Sequence, residues 1–297
     1  MAISDRHGTP GATSTSPIRT IADRANRWRA RARGVQSDAV SASTSAQPAI
    51  RRGVVRGPDL RNLRAWTSQM EAWPVGSHVW GHYAEQTADG EAICRTENVS
   101  ACHDGFAALV AGPLRMLAAE ALGVDVIAFK DKLNYKQPGG AGFSPHQDAL
   151  AYPGVGNVLS ILVAVDECSA ASGCLWLADG VEELLPTDDR GVVRSEVASA
   201  LRWEPIPLAP GDAVCIGGLA PHFSEANTSS SSRRVLVASY APVEEGYGRD
   251  RYYAARRVEM ESSTAKDKRF RISTLADFEG TEVRVAAPSA VSACTHP

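Results

Sequence analysis

The pattern of apolar and polar positions divides the chain into three parts. Residues 1–50 are rich in Ala, Ser, Thr and Arg, contain no Lys, and show little apolar periodicity. A segment of that kind buries too little surface to offset its ordering entropy, so 1–50 is expected to be a mobile N-terminal extension. The chemistry of an organelle transit peptide is similar, but Asp5, Asp23 and Asp38 speak against one. From Phe106 to Leu122 the pattern is helical: Leu109, Leu114, Leu117 and Ala118 fall near helical spacing, and Gly123 follows as a C-terminal cap. The rest reads as strands. Val126 to Lys136 alternates, and Val158 to Val165 is an unbroken apolar run suited to a buried strand. Cys174 to Ala178, Ala213 to Ile216 and Val235 to Tyr240 follow, and Pro210-Gly211-Asp212 is a turn signal. Several short strands after a helical front predict an antiparallel sandwich or barrel.

Composition narrows the classes. The 297 residues, 44% of them apolar, suffice for a substantial core, and 51–297 is expected to form a single domain. A net charge of −3 gives no footprint for nucleic acid. No apolar run approaches the ~20 residues of a membrane span, and no secretory signal opens the chain, so a cytoplasmic protein is expected. The six cysteines form no Cys-x-x-Cys pair and are expected to be reduced and structural. Oligomeric state is not readable.

The sharpest local feature is His146-Gln147-Asp148, directly after the Gly-rich loop that starts at Pro138. In extended backbone, residues two apart share a face, so an imidazole and a carboxylate can meet one ion. His222, just past the strand from Ala213, offers a third donor. Two histidines and a carboxylate on one face of an octahedron are the ligand set of non-haem iron(II) oxygenases, with open positions for an oxoacid and dioxygen. By itself His-x-Asp is weak, because lone histidines are more often surface or core residues. Arg233-Arg234, opening the strand to Tyr240, adds a guanidinium able to meet a distal carboxylate with paired hydrogen bonds.

The run from Phe129 to Ala241 resembles the phytanoyl-CoA dioxygenase family, including its bacterial small-molecule hydroxylases. The resemblance is carried by Lys-Asp-Lys-Leu-Asn-Tyr-Lys (130–136), His-Gln-Asp (146–148), Gly-Cys-Leu (173–175), Pro-Gly-Asp (210–212) and the segment from His222 to Arg233. It implies a mainly β fold, a double-stranded β-helix (jelly roll, cupin-like) of about 124–245 with flanking α-helices. It also implies Fe(II), 2-oxoglutarate and dioxygen as cofactors, with ascorbate as a candidate reductant. His146, Asp148 and His222 match the iron ligands, and Arg233 matches the arginine for the 2-oxoglutarate C5 carboxylate. Arg234, one residue on, should face the other way. Where many members continue with Gly-Ser-His, this chain has Asp179-Gly180-Val181-Glu182, so any role of that histidine is absent.

Supporting positions leave alternatives open. Lys130, Lys132, Asn134 and Lys136 share one strand face, which is either a solvated sheet edge or a barrel mouth where Lys132 and Asn134 touch 2-oxoglutarate or an anionic substrate. Asn157 and Ser160 either contact the cosubstrate or cap the strand. The stretch Val181 to Leu201 is a lid or a surface excursion. Trp176 is expected in the core, and Tyr152, Trp203 and Tyr247 are candidate pocket residues. His78 and His82 lack a carboxylate to complete a second metal site. The implied reaction is hydroxylation of an unactivated C–H bond in a small polar metabolite: a phosphonate, an amino acid derivative or a natural-product intermediate. The same cofactors could instead drive desaturation, epimerisation or cyclisation. From another class, a jelly-roll binding module that has lost catalysis is the rival.

Overall fold

The computed structural model describes residues 49–73, 81–266, 272–275 and 277–283. The extension expected over 1–50 lies outside these residues except for its last two, and His78 lies outside as well. Ala49 and Ile50 belong to strand β1 (Ala49–Arg51), so the expected boundary falls inside a strand.

Two antiparallel sheets face each other. The larger runs β1, β9 (Ala213–Gly217), β6 (Leu159–Ala164), β11 (Arg233–Pro242), β4 (Val126–Lys136), β3 (Gly90–Glu97), β2 (His82–Thr87) and β12 (Thr281–Glu282). The smaller runs β5 (Phe143–His146), β10 (His222–Ser224), β7 (Leu175–Ala178) and β8 (Trp203–Ile206). This is the jelly roll with its expected strands at nearly their expected bounds. The hairpin of β2 and β3 and the helix α1 (Gly57–Glu71) carry weaker periodicity and had no counterpart in the sequence reading.

Alternation explains the layering. Ile161, Val163, Ala213, Cys215, Leu236 and Ala238 leave one face of the large sheet and pack under α1, α3 (Asp104–Ala111) and α4 (Pro113–Leu122), against Leu63, Phe106, Leu114 and Leu122. Their neighbours Leu162, Ala164, Val214, Ile216, Val235 and Val237 leave the other face and meet Leu177 and Ile206 of the small sheet. Each fully buried aliphatic side chain contributes roughly 1.5–3 kcal/mol, so a one-residue slip, which exchanges the two packed faces, would spoil the fit of both layers at once.

The helix expected from Phe106 to Leu122 is two helices. Pro113 has no N–H to continue the ladder and its ring would meet the preceding turn, so the chain breaks at Gly112 and restarts. The combined stretch Asp104–Leu122 has the length and apolarity of a membrane span, against the expectation of none, yet it lays Phe106, Val110, Leu114, Ala118 and Leu122 into the core. A short helix α2 (Val99–Cys102) precedes it. Cys94, Cys168, Cys174 and Cys215 are free and buried, whereas Cys102 is disulfide-bonded, which corrects the expectation of six reduced thiols.

The strand β4 is interior, between β3 and β11, so its lysine face is not a solvated edge. Downstream of helix α5 (Arg249–Lys266), residues 277–279 run along β5: Ser144 donates its N–H to the Asp277 carbonyl at 2.8 Å, and the Glu279 N–H donates to the Gly142 carbonyl at 3.1 Å. This strap covers one side of the space between the sheets.

Candidate metal centre

Two strands bring the histidines together. β5 and β10 pair antiparallel with His146 directly opposite His222, and the ring centroids are 4.2 Å apart. β5 ends at His146, but Gln147 keeps an extended backbone, so Asp148, the first residue of a 3-10 turn, faces the same way. One donor atom from each of His146, Asp148 and His222 lies within 4.8 Å of the others.

Neighbouring groups fix how the donors point. The Nδ1 of His146 lies 2.7 Å from the Ser144 carbonyl and that of His222 lies 2.9 Å from the Ala220 carbonyl. A carbonyl only accepts, so both Nδ1 atoms carry hydrogen and both Nε2 lone pairs are left for an ion. Burial lowers the His222 pKa to about 4, reinforced by His146, which keeps the ring in its ligating neutral form. Burial alone would raise the Asp148 carboxyl, but His222, Lys132 and His146 outweigh it and hold the group well below the usual carboxylate range. Ser160 donates to Asp148 Oδ2 at 3.1 Å and shares a hydrogen bond with Ser239. Two imidazoles that keep Nε2 clear of the carbonyls, together with one ionised carboxylate on one side of a cavity, fit a divalent iron with open positions.

The middle residue of the motif faces the opposite way. Gln147 donates to the carbonyls of Glu183 and Leu219 and accepts from the Leu185 N–H at 2.8 Å. It thereby pins the stretch Val181 to Leu201, which contributes no residue to the cavity lining and packs along β5 through Val193 N–H to Pro145 O at 2.7 Å. The surface-excursion alternative is the one that matches.

Arg233 enters the same cavity from β11. It is buried, its Nη2 donates to the Gly173 carbonyl at 2.5 Å, and its Nε has no partner. Gly173 holds a φ of +71°, and a Cβ there would meet the Glu225 carbonyl and the Lys136 side chain, so only glycine brings its carbonyl this close. Opposite Arg233 in register sits Lys136, whose Nζ donates to Ser224 Oγ at 2.9 Å and to the Glu225 carbonyl. Burial and the Arg233 charge bring the Lys136 amine down to about 6. Arg234 points outward, as expected, and pairs with Asp166 through two hydrogen bonds of 2.6 and 3.1 Å and with Glu71 at 3.1 Å.

Lys132, Asn134 and Ser160 all line the cavity, but Asn157 does not. Asn157 precedes β6, and its N–H donates to Glu245 at 3.0 Å, so the strand begins too late to turn it inward. Asn134 is engaged, accepting from Arg95 Nε at 2.9 Å. Tyr152 and Tyr247 pack on Phe129 in one apolar cluster, and of the two Tyr152 alone lines the cavity. Trp203 stands outside the cavity, edge-on to Phe223, and Trp176 is only half-buried, stacked on the same ring, which corrects its placement in the core. His82 bonds Thr96 and the Trp73 carbonyl, as a satisfied core histidine.

Two charged lining residues, Arg95 and Asp277, had no place in the sequence reading, while Lys130 was placed on the shared strand face but given no role of its own. Asp277 Oδ2 lies 3.2 Å from His146 Nδ1, a contact spanning more than a hundred residues with no local signal. The alternating lysine face of β4 did hold the signal for Lys130.

Comparison with known proteins agrees with this geometry. A family model described as phytanoyl-CoA dioxygenase matches residues 26–235. A methylphosphonate hydroxylase of Gimesia maris is 37% identical over 226 residues, covering 75% of this chain and 87% of that protein. A 2-aminoethylphosphonate dioxygenase of an uncultured bacterium is 35% identical over 204 residues, covering 66% and 78%. Among solved structures, EctD from S. alaskensis superposes with a TM-score of 0.60 at 19% identity, covering 70% of this chain and 79% of that one. The likeness to EctD bears on the fold alone.

Proposed function

The chain belongs to the phytanoyl-CoA dioxygenase family and is an iron(II)- and 2-oxoglutarate-dependent dioxygenase that hydroxylates small molecules; on that premise we propose that its substrate is a small organophosphonate, hydroxylated at an unactivated C–H bond. The observation that carries this reading is the basic wall beside the donor triad: Arg95, Lys130 and Lys132 line the same cavity as His146, Asp148 and His222. Two phosphonate-acting relatives above 30% identity support the same substrate class.

In this reading His146, Asp148 and His222 hold the iron, and Arg233 with Lys136 receives the distal carboxylate of 2-oxoglutarate. Bound together, iron and the oxoacid supply the oxidising power, with succinate and carbon dioxide as by-products. The chain supplies placement. Arg233, desolvated and with a free Nε, offers a fork-shaped set of donors at a fixed distance from the triad. Ser160 keeps the Asp148 carboxylate oriented, and the carbonyls of Ser144 and Ala220 keep both imidazoles in one tautomer. Tyr152, Ala151 and Leu275 give the cavity an apolar flank against which a C–H bond can rest. A binding module without catalysis would have no use for this complete donor set. This reading asks for a compartment that supplies 2-oxoglutarate and reduced iron, as the cytoplasm does.

The test is incubation with ferrous iron, ascorbate, 2-oxoglutarate, air and either methylphosphonate or 2-aminoethylphosphonate. Succinate should appear in proportion to a hydroxylated phosphonate seen by phosphorus NMR. Succinate that is unaffected by any phosphonate, yet rises with a carboxylate or sulfonate analogue, would sink the substrate class and leave the cofactor chemistry standing.

A further inference from the structure

The cationic groups of the cavity fall into two poles. Along β4, Lys130, Lys132, Asn134 and Lys136 share the inner face. Lys136 is in register with Arg233, while Lys132 is in register with Val237 and Lys130 with Ser239, further along the same strand. At ~3.3 Å per residue, Lys132 starts about 13 Å of strand away from Lys136. A short oxoacid anchored at Arg233 is therefore served by Lys136 and has no need of Lys132 or Lys130. Those two instead share the metal end of the cavity: the Asp148 charge acts on Lys132, and Ser239, the register partner of Lys130, is hydrogen-bonded to the Ser160 that holds Asp148.

The second pole carries more positive charge than the protein matches. Arg95 is placed by Asn134, by the Ile272 carbonyl, and by Glu97 at 3.8 Å. Arg256 takes the other oxygen of Glu97 at 3.8 Å, so that carboxylate stands between two guanidiniums. Asp148 and Asp277 are committed to the metal centre. Lys130 uses one of its three donors, on Tyr152 Oη at 3.1 Å, with the rings of Tyr152 and Tyr252 at 5.2 and 5.4 Å. Lys132 has no hydrogen bond or ion pair among the described residues, although it lines the cavity. Lys130 is buried and Lys132 half-buried, and the carboxylates that act on them, Glu97 and Asp148, are shared with Arg95, Arg256 and the metal centre, so a ligand anion is needed to match both lysines. A phosphonate resembles a phosphate monoester, with between one and two negative charges near neutral pH and three acceptor oxygens, which matches two lysines with spare donors.

We propose that Lys130 and Lys132, backed by Arg95, form the seat for the phosphonate group of the substrate, at the pole of the cavity away from Arg233. The proposal rests on the organophosphonate reading above and adds where the anion sits. An anion held beside Asp148 puts the carbon attached to phosphorus near the iron position, with Ala151, Tyr152 and Leu275 around the organic part. Lys132 thus leaves the set of expected cosubstrate contacts and becomes a specificity-determining residue.

The experiment uses the full chain loaded with ferrous iron and 2-oxoglutarate under anaerobic conditions, titrated with methylphosphonate and with 2-aminoethylphosphonate while the visible chelate band is followed. For the wild type, at least one phosphonate should perturb the band saturably. Lys132→Met should keep the band formed by 2-oxoglutarate but raise the phosphonate dissociation constant tenfold or more, and Lys132→Arg should recover part of that loss. Lys130→Met gives a second reading of the same seat, and methionine keeps most of the length and apolar stem of each lysine, so both variants should stay folded. Wild-type phosphonate affinity in both methionine variants overturns the seat while leaving the substrate class intact. Loss of the 2-oxoglutarate band in Lys132→Met also overturns it, because that lysine would then serve the cosubstrate. A wild type that responds to neither phosphonate overturns the substrate class and the seat together.

Discussion

Asp277 places its Oδ2 3.2 Å from Nδ1 of His146, joining the far end of the described chain to the first donor of the metal centre. The same Nδ1 faces the Ser144 carbonyl at 2.7 Å, so the ring is held from two sides and its Nε2 is aimed at the ion. Carboxylates behind ligating histidines raise ligand basicity, and their loss commonly costs 10–100-fold in metal affinity. Asp277→Ala is expected to weaken ferrous iron binding by that factor. A titration with iron, or with cobalt as a spectroscopic stand-in, checks it, and unchanged affinity would reduce Asp277 to a strap anchor.

The donor triad has no understudy among the described residues, since no other cluster of histidine, cysteine and carboxylate groups comes as close. His146→Ala, Asp148→Ala and His222→Ala should each abolish turnover, with circular dichroism unchanged. Asp148→Gly should open a coordination position and end hydroxylation. Near wild-type activity in two of the alanine variants would show the ligands to be elsewhere.

Arg233 and Arg234 are neighbours with opposite duties. Arg233→Ala should raise the 2-oxoglutarate requirement more than tenfold, because losing a desolvated carboxylate partner costs on the order of 2–5 kcal/mol. Arg234→Ala should leave that requirement alone and instead lower the melting temperature, since it strips the outward pair with Asp166 and Glu71, a part-buried network worth roughly 1–3 kcal/mol. Anaerobic titration of the chelate band separates the two, and the reverse pattern would move the cosubstrate to the other face of β11.

Lys136 makes cosubstrate binding sensitive to pH. With its pKa brought down to about 6, by burial first and by Arg233 second, the free protein carries a neutral amine there at pH 7.5. A carboxylate arriving beside it favours the ammonium, so binding should take up a proton. Calorimetric binding heats in Tris and in phosphate should then differ, and Lys136→Met should remove the difference. The sign for stability follows from the lowered folded value: between about pH 6 and the ordinary lysine range the unfolded chain binds the extra proton, so the cost this group imposes on folding shrinks as pH rises. Equal heats in both buffers would place the proton elsewhere.

Much of this was legible in local sequence. β4, β6, β9 and β11 were found because strict alternation or continuous apolar runs are a property of a few adjacent residues. His146 and Asp148 were found for the same reason, and Arg233 was separated from Arg234 by strand parity alone. The misses are contacts across long stretches of chain. Nothing near Asp277 or Arg95 announces that they meet the metal end of the cavity, and the lysine face of β4 looked equally like an edge until β3 was seen to cover it. Asn157 went the other way: two residues before a strand resemble the strand in composition but not in direction. The Gly112-Pro113 break was visible in the letters, yet the periodicity on either side concealed it.

The strap that carries Asp277 also sets an order of assembly. On a ribosome adding about 5–20 residues per second, the more than one hundred residues between His146 and Asp277 take on the order of ten seconds to emerge. Only in the last part of that interval, once His222 has emerged, can the two histidines and Asp148 meet, while the wall formed by Ser273, Thr274, Leu275 and Asp277 has yet to be synthesised. A nascent chain therefore offers an open, weakly held metal position before it offers an enclosed one. In chain order, the carboxylate behind the first donor is thus the last part of the centre to be made.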